Sequence, residues 1–293
     1  MIIEIRAKNC FVFEEEISFS MKADMRNKKF ASNVHRENNF NVLKTVGVYG
    51  PNNVGKTCLV KCIRAIKHVL LDKKSGLVPN IFSDNEVCQL GVTFLAYGRK
   101  FSYDFWYNAK TNEYVYESFS EMLKDHYGNE KEVNWLKRDT INDVYYCTDE
   151  DVQAMMAIIS KNNLFCYLVD ISKFECLKEM KDILVGFAEK IDIINMNNIP
   201  MKHTIELMKN RNNLQEKIVE FIKNADLYMD DFKYVDVDKI QVKASDEEER
   251  PEEKALDIPE NIMDQIRLVS TYKGVHVPSM LFDSTGTKKI AAI

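Results

Sequence analysis

Apolar and polar positions alternate through the first twenty residues, where Ile3, Ile5 and Ala7, then Phe11, Phe13, Ile17 and Phe19, fall on odd positions. This period of two predicts a pair of half-buried strands. A short apolar run at 46–49 predicts a strand leading into Gly50, and beyond Thr57 the residues Leu59, Cys62, Ile63, Ile66 and Leu70 recur at helical spacing. Strand, loop and helix are expected in that order. Three further strands are predicted at 87–97, 101–107 and 113–119, with Phe101, Tyr103, Phe105 and Tyr107 alternating and Gly98 supplying a turn. Together they read as an antiparallel meander.

The period then changes. Val152, Met155, Met156 and Ile159, the stretch from Leu164 to Phe187, and Ile205, Met208, Ile218, Phe221 and Ile222 all suit helices. A largely helical insertion is therefore expected over 120–225, between a first lobe at 1–119 and the start of a second lobe at 226–293, where strands return at 232–242 and 266–272. The fold class expected is α/β, a mixed sheet with an antiparallel meander and a helical insertion.

Two polar segments interrupt this pattern. Residues 22–40 carry Lys22, Arg26, Lys28, Lys29, His35 and Arg36 and read as a mobile basic loop, either simply solvated or touching phosphate. Residues 245–254 are acidic with almost nothing to bury and read as disordered. The 293 residues suit one large domain or two, and 45% apolar content with 16 Phe and 13 Tyr excludes global disorder. A net charge of −5, from 40 Lys and Arg against 45 Asp and Glu, gives no general field for nucleic acid, so any DNA contact must be local. No apolar run approaches the roughly 18 residues that span a bilayer, and Glu4, Arg6 and Lys8 break up the N-terminus as a signal segment. The seven cysteines lack paired C-x-x-C spacing and read as reduced core thiols of a soluble cytoplasmic protein.

The strongest chemical signal is at 50–57, Gly-Pro-Asn-Asn-Val-Gly-Lys-Thr, a complete match to G-x-x-x-x-G-K-[ST]. A triphosphate needs a concave ring of backbone N–H groups, which Gly50 and Gly55 permit by taking conformations that a Cβ forbids. Pro51, Asn52, Asn53 and Val54 complete the loop, and the N–H groups of Asn53 to Cys58 would line the ring. The start of the helix adds a favourable field. Lys56 would reach the β- and γ-phosphates of ATP, and the Thr57 hydroxyl would coordinate Mg²⁺.

The opening Met-Ile-Ile-Glu-Ile-Arg-Ala-Lys-Asn-Cys-Phe-Val-Phe, with the phosphate loop following later, resembles the start of ABC-type ATPases related to SMC and OLD proteins, with Asn9, Cys10 and Phe13 in their Asn-Phe-x-x-Phe turn. Cys10 stands where the family has Phe. Residues 282–289, Phe-Asp-Ser-Thr-Gly-Thr-Lys-Lys, with 91–105 and 225–232, are similar to segments of the AAA-family ATPases of bacterial abortive infection. The resemblance implies a P-loop NTPase of ABC type, an ATPase binding ATP and Mg²⁺. It implies Ser284 and Gly286 in a signature-like loop, with Ser284 acting in trans on a neighbour's nucleotide in an ATP-dependent head-to-tail homodimer. It also implies a role in anti-phage defence through an effector nuclease or toxin.

Such an ATPase continues past its signature helix into an apolar strand ending in Asp-Glu and then a switch histidine. Here the sequence stops at Ile293, so a truncated or split protein is expected. Asp170 and the acidic run 246–249 are the substitutes for the magnesium aspartate, and Gln89 is the candidate sensor of the γ-phosphate. The alternative to an ATP-driven dimerisation switch is a catalytically incomplete nucleotide-binding scaffold that controls a partner effector. A P-loop kinase is a third reading, which the meander disfavours.

Overall fold

The computed structural model describes residues 1–26, 29–37, 40–52, 54–124, 130–194, 205, 208, 216–221, 229–235, 267–283 and 288. The chain divides into two compact units, Met1–Ile191 and Asp192–Ile293.

The first unit is built on a seven-stranded sheet. Its strands are β1 (Ile2–Lys8), β2 (Ile17–Ser20), β5 (Val87–Ala96), β6 (Arg99–Asn108), β7 (Glu113–Lys124), β8 (Glu130–Asp139) and β9 (Val144–Cys147), in the order β2-β1-β5-β6-β7-β8-β9. Every neighbouring pair is antiparallel. This overturns the α/β P-loop expectation. A parallel pair needs a crossover of a dozen residues or more, whereas β5 to β6, β6 to β7 and β8 to β9 return through short turns, and β5 comes back antiparallel to β1 after the long stretch that holds α1. The turn after β5 is Tyr97-Gly98, with φ of 52° and 72°, the left-handed pair that matches the twist of a two-residue hairpin. The meander expected over 87–119 is present and extends further.

Three local expectations also change. The apolar run 46–49 forms no strand, because Tyr49 is 91% exposed and pairs with nothing among the described residues. The basic segment 22–40 is not a loop throughout: β3 (Val34–Glu37) pairs with β4 (Phe40–Leu43), and Val42 is buried with Ile3 and Leu95. The helical stretch expected from 120 begins only at α2 (Glu150–Met156), since β7, β8 and β9 continue the meander. Strand β8 escapes a period-two reading because Arg138 faces the core. Its guanidinium meets the Glu117 carboxylate of β7 at 3.1 Å, both side chains wholly buried. Glu117 also accepts hydrogen bonds from the Tyr103 hydroxyl and the Phe165 amide, and Arg138 donates to the carbonyls of Ser160 and Asn163. The partners offset the large desolvation cost of both charges.

One face of the sheet carries Ile5, Leu90, Val92, Phe94, Phe101, Tyr103, Phe105 and Phe119, all buried. Against it lie α1 (Lys56–Leu70) and α4 (Glu175–Glu189). Leu59, Cys62, Ile66 and Val69 of α1 recur at three- and four-residue steps and are buried, each large aliphatic side chain contributing about 1.5–3 kcal/mol. Phe187 of α4 stacks on Phe94 at 4.0 Å between ring centroids. The short helix α3 (Phe165–Leu168) completes this layer.

The second unit contains an antiparallel sheet of β10 (Asp231–Tyr234), β11 (Leu268–Tyr272) and β12 (Val275–Pro278), turned at Lys273-Gly274 with φ of 49° and 78°. Its core gathers Ile205, Met208, Met229, Phe232 and Leu268. The acidic stretch 245–254 lies outside the described residues. No helix among the described residues is long and apolar enough to cross a membrane.

Candidate functional site: the glycine-lysine loop at the start of α1

The loop is held from behind by the 9–13 turn. Asn9 and Phe11 take φ of 52° and 56°, and Cys10 and Phe13 exchange N–H···O bonds of 2.9 Å. Asn9 is buried and fully engaged: its amide donates to the carbonyls of Asn85 and Val87, and its Oδ1 accepts the Asn80 N–H at 3.1 Å. Phe11 donates its N–H to the Val78 carbonyl at 2.8 Å and accepts from the Asn80 amide at 3.2 Å. The turn and the segment after α1 are thus tied into one rigid support. Asn9, which the resemblance places in the Asn-Phe-x-x-Phe turn, here serves that support.

Gly55 sits on this support with φ of 99°. A Cβ there would lie 2.9 Å from Phe13 and 3.0 Å from Val12, so both backbone conformation and space demand glycine. Gly50, at φ 151°, also takes a conformation that L side chains rarely adopt. Gly55 is the N-cap of α1 and provides no side-chain cap, and no acidic residue lies in the first helical turn. The first amides of a helix have no intrahelical acceptor, so this end presents open N–H groups and the positive end of the dipole.

The Lys56 ammonium folds back over the loop, donating to the Gly50 carbonyl at 2.7 Å and to the Pro51 carbonyl. Thr57 is exposed and Cys58 half-buried, while Pro51, Asn52 and Val54 are exposed. Asn53, Ser284, Gly286 and the run 246–249 lie outside the described residues. The structure thus brings together Gly50, Pro51, Gly55, Lys56 and Thr57 at one helix end.

The other candidates lie elsewhere. Asp170 accepts the N–H and hydroxyl of Ser172 in its own turn, and these bonds hold its carboxyl below the ordinary range. Gln89 lies on β5, between Lys8 of β1 and Trp106 of β6. All seven cysteines are free thiols. Burial pushes Cys62 up to about 12, and a hydrogen bond with Cys88 together with burial pushes Cys10 up as well.

The sequence pattern misses one cluster in the second unit. The Asp283 carboxylate accepts hydrogen bonds from the hydroxyls of Ser270 at 2.5 Å, Ser279 at 2.6 Å and Tyr272 at 2.7 Å. Burial, then the bond to Asp283, pushes the Tyr272 phenol up to about 12. The cluster fixes the residue that precedes Ser284. Two of its hydroxyls come from β11 and the third from the helical turn after β12, so no single local spacing announces it.

Comparison with family models and with curated proteins yields no match.

Proposed function

We propose that this chain binds ATP with Mg²⁺ at residues 50–58 and that the bound nucleotide acts as a switch. The observation that carries the reading is the coincidence of a complete phosphate-loop sequence with an uncapped 15-residue helix, Gly55 left-handed and Lys56 laid across the loop's own carbonyls. In that seat Lys56 is poised to exchange two carbonyls for the β- and γ-phosphates, a stronger charged pairing. Thr57 is exposed at the loop edge, where its hydroxyl suits the shell of Mg²⁺, whose other positions go to water and phosphate oxygens. Mg²⁺ would screen the triphosphate charge, and Lys56 would stabilise charge developing on the γ-phosphate. The N–H cradle and the helix end are local features, so the reading does not depend on the α/β fold that the antiparallel sheet rules out.

ATP-dependent pairing of two copies through Ser284 and Gly286, and an output through an effector nuclease or toxin in phage defence, belong to the same proposal. The resemblance of 225–232 and 282–289 to the abortive-infection ATPases is their support. A second reading, a nucleotide-binding scaffold without rapid hydrolysis, is favoured by the engagement of Asp170 in its own turn.

Calorimetry with ATP and Mg²⁺ tests the site. Lys56→Ala is expected to lose most of the affinity, since a hydrogen bond to a charged group contributes about 1.5–3 kcal/mol. Equal binding by parent and variant would overturn the assignment. Phosphate release by the parent, lost in Lys56→Ala, separates switch from scaffold.

A further inference from the structure

The seven-stranded sheet has a second face, and two ranks of side chains cross it. Pairing sets Arg6, Gly91, Asp104 and Ser118 in register across β1, β5, β6 and β7. Two residues along, Lys8, Gln89, Trp106 and Tyr116 form the next rank on the same face. Between them lies a groove of about 210 Å³.

Its floor is closed and rigid. Arg6 forks onto the Asp104 carboxylate at 2.9–3.2 Å and donates further to Thr93 and Ser102. Gly91 makes room for this pair, because a Cβ there would lie 1.9 Å from the Asp104 Oδ1. Arg6 and Asp104 are spent on each other. The upper rank differs: the Gln89 amide and the Lys8 ammonium have no side-chain partner among the described residues. Beside Gln89, Trp106 is already stacked on Tyr116 with ring centroids 4.5 Å apart, which braces the indole as a flat wall.

We propose that this groove binds a nucleobase, stacked on Trp106 and read along its hydrogen-bonding edge by Gln89. The amide offers one acceptor and two donors, the set that pairs with the adjacent donor and acceptor of adenine. The volume is below the roughly 300–1,000 Å³ of pockets for drug-sized ligands and suits a single ring system with little else. Charge sets the rest of the ligand. Lys8 supplies one cation and Glu16, also lining the groove, one anion, which suits a nucleoside or a single phosphate better than a triphosphate. The groove lies on the sheet face opposite α1 and no described residue of 50–58 lines it, so the site is distinct from the phosphate loop.

The chain has two tryptophans, so Trp135→Phe leaves Trp106 as the sole indole fluorophore. Titration with adenosine is expected to quench its emission saturably, and AMP and a short oligo(dA) show whether a free nucleotide or a single strand is the better source of the base. Calorimetry with whichever ligand binds best then measures variants of the parent chain. Trp106→Leu is expected to weaken binding by roughly 5- to 150-fold, the span of base–aromatic stacking, and Trp106→Tyr to restore most of it. Gln89→Leu is expected to remove the preference for adenosine over N6,N6-dimethyladenosine, whose edge donor is blocked. Absence of saturable quenching by all three ligands would overturn the proposal. So would unchanged binding in a folded Trp106→Leu, or, should that variant unfold, unchanged discrimination in Gln89→Leu. Because adenosine has no phosphate, these results do not depend on the phosphate loop, whose own test is the loss of ATP binding in Lys56→Ala.

Discussion

Replacing Gly55 by alanine tests whether the loop is held from behind as described. Two costs arise. At φ 99° an L residue is strained, by about 1–2 kcal/mol for a left-handed conformation. The new Cβ also falls 2.9 Å from Phe13 and 3.0 Å from Val12, and overpacking of this kind costs about 1–3 kcal/mol. Alanine returns about 0.4–1 kcal/mol by restricting the unfolded chain. The balance is a loss of roughly 2–4 kcal/mol. Gly76 is the internal control: its φ of 64° carries the same kind of strain, but nothing lies within 4 Å of a Cβ there. Gly76→Ala should therefore cost about 1 kcal/mol, and the difference between the two variants isolates the contact with the 9–13 turn. For a unit of this size each kcal/mol lowers Tm by about 2–4 °C, so calorimetric scans should show a drop of roughly 4–16 °C for Gly55→Ala against 2–4 °C for Gly76→Ala. Equal drops would mean that the turn gives way freely, and the rigid support assigned to Asn9, Phe11 and Phe13 would fail with it.

Two further outcomes follow from buried polar groups. Arg138→Met strands the Glu117 carboxylate in the core and should cost about 3–5 kcal/mol in urea unfolding, most of it recovered when Glu117→Gln is added; a loss below 1 kcal/mol would refute the buried pairing. Tyr272 has a folded pKa raised to about 12 from an ordinary 10.0, so the protonated phenol stabilises the fold. That contribution is fully present below pH 10 and is lost as the pH rises through about 12. Thermal scans across this range should show a steeper alkaline fall for the parent than for Tyr272→Phe, and parallel curves would argue against the bond to Asp283.

The first strand, β5 to β7 and the helix α1 are legible in the sequence because each shows its buried face through a local period, and the glycine-lysine loop is legible because its residue types are demanded at fixed spacing. Helix α4 is legible for the same reason, with Leu177, Met180, Ile183, Leu184 and Phe187 all buried. What neighbours what is a different matter. The run 46–49 has the composition of a strand, yet hydrogen bonding requires a partner that only the tertiary structure supplies or withholds, and here Tyr49 stays in solvent. Strand β8 falls in the stretch expected to be helical, and its Arg138 is neutralised only by Glu117 arriving from β7, while the basic segment 22–40 looks like a loop until Val42 packs on Ile3 and Leu95. Periodicity records which side of an element is apolar. The pairing of β1 with β5, the burial of a charge and the meeting of Arg6 with Asp104 over Gly91 are set by residues distant in the chain, through pairing register, and so only the tertiary structure decided them.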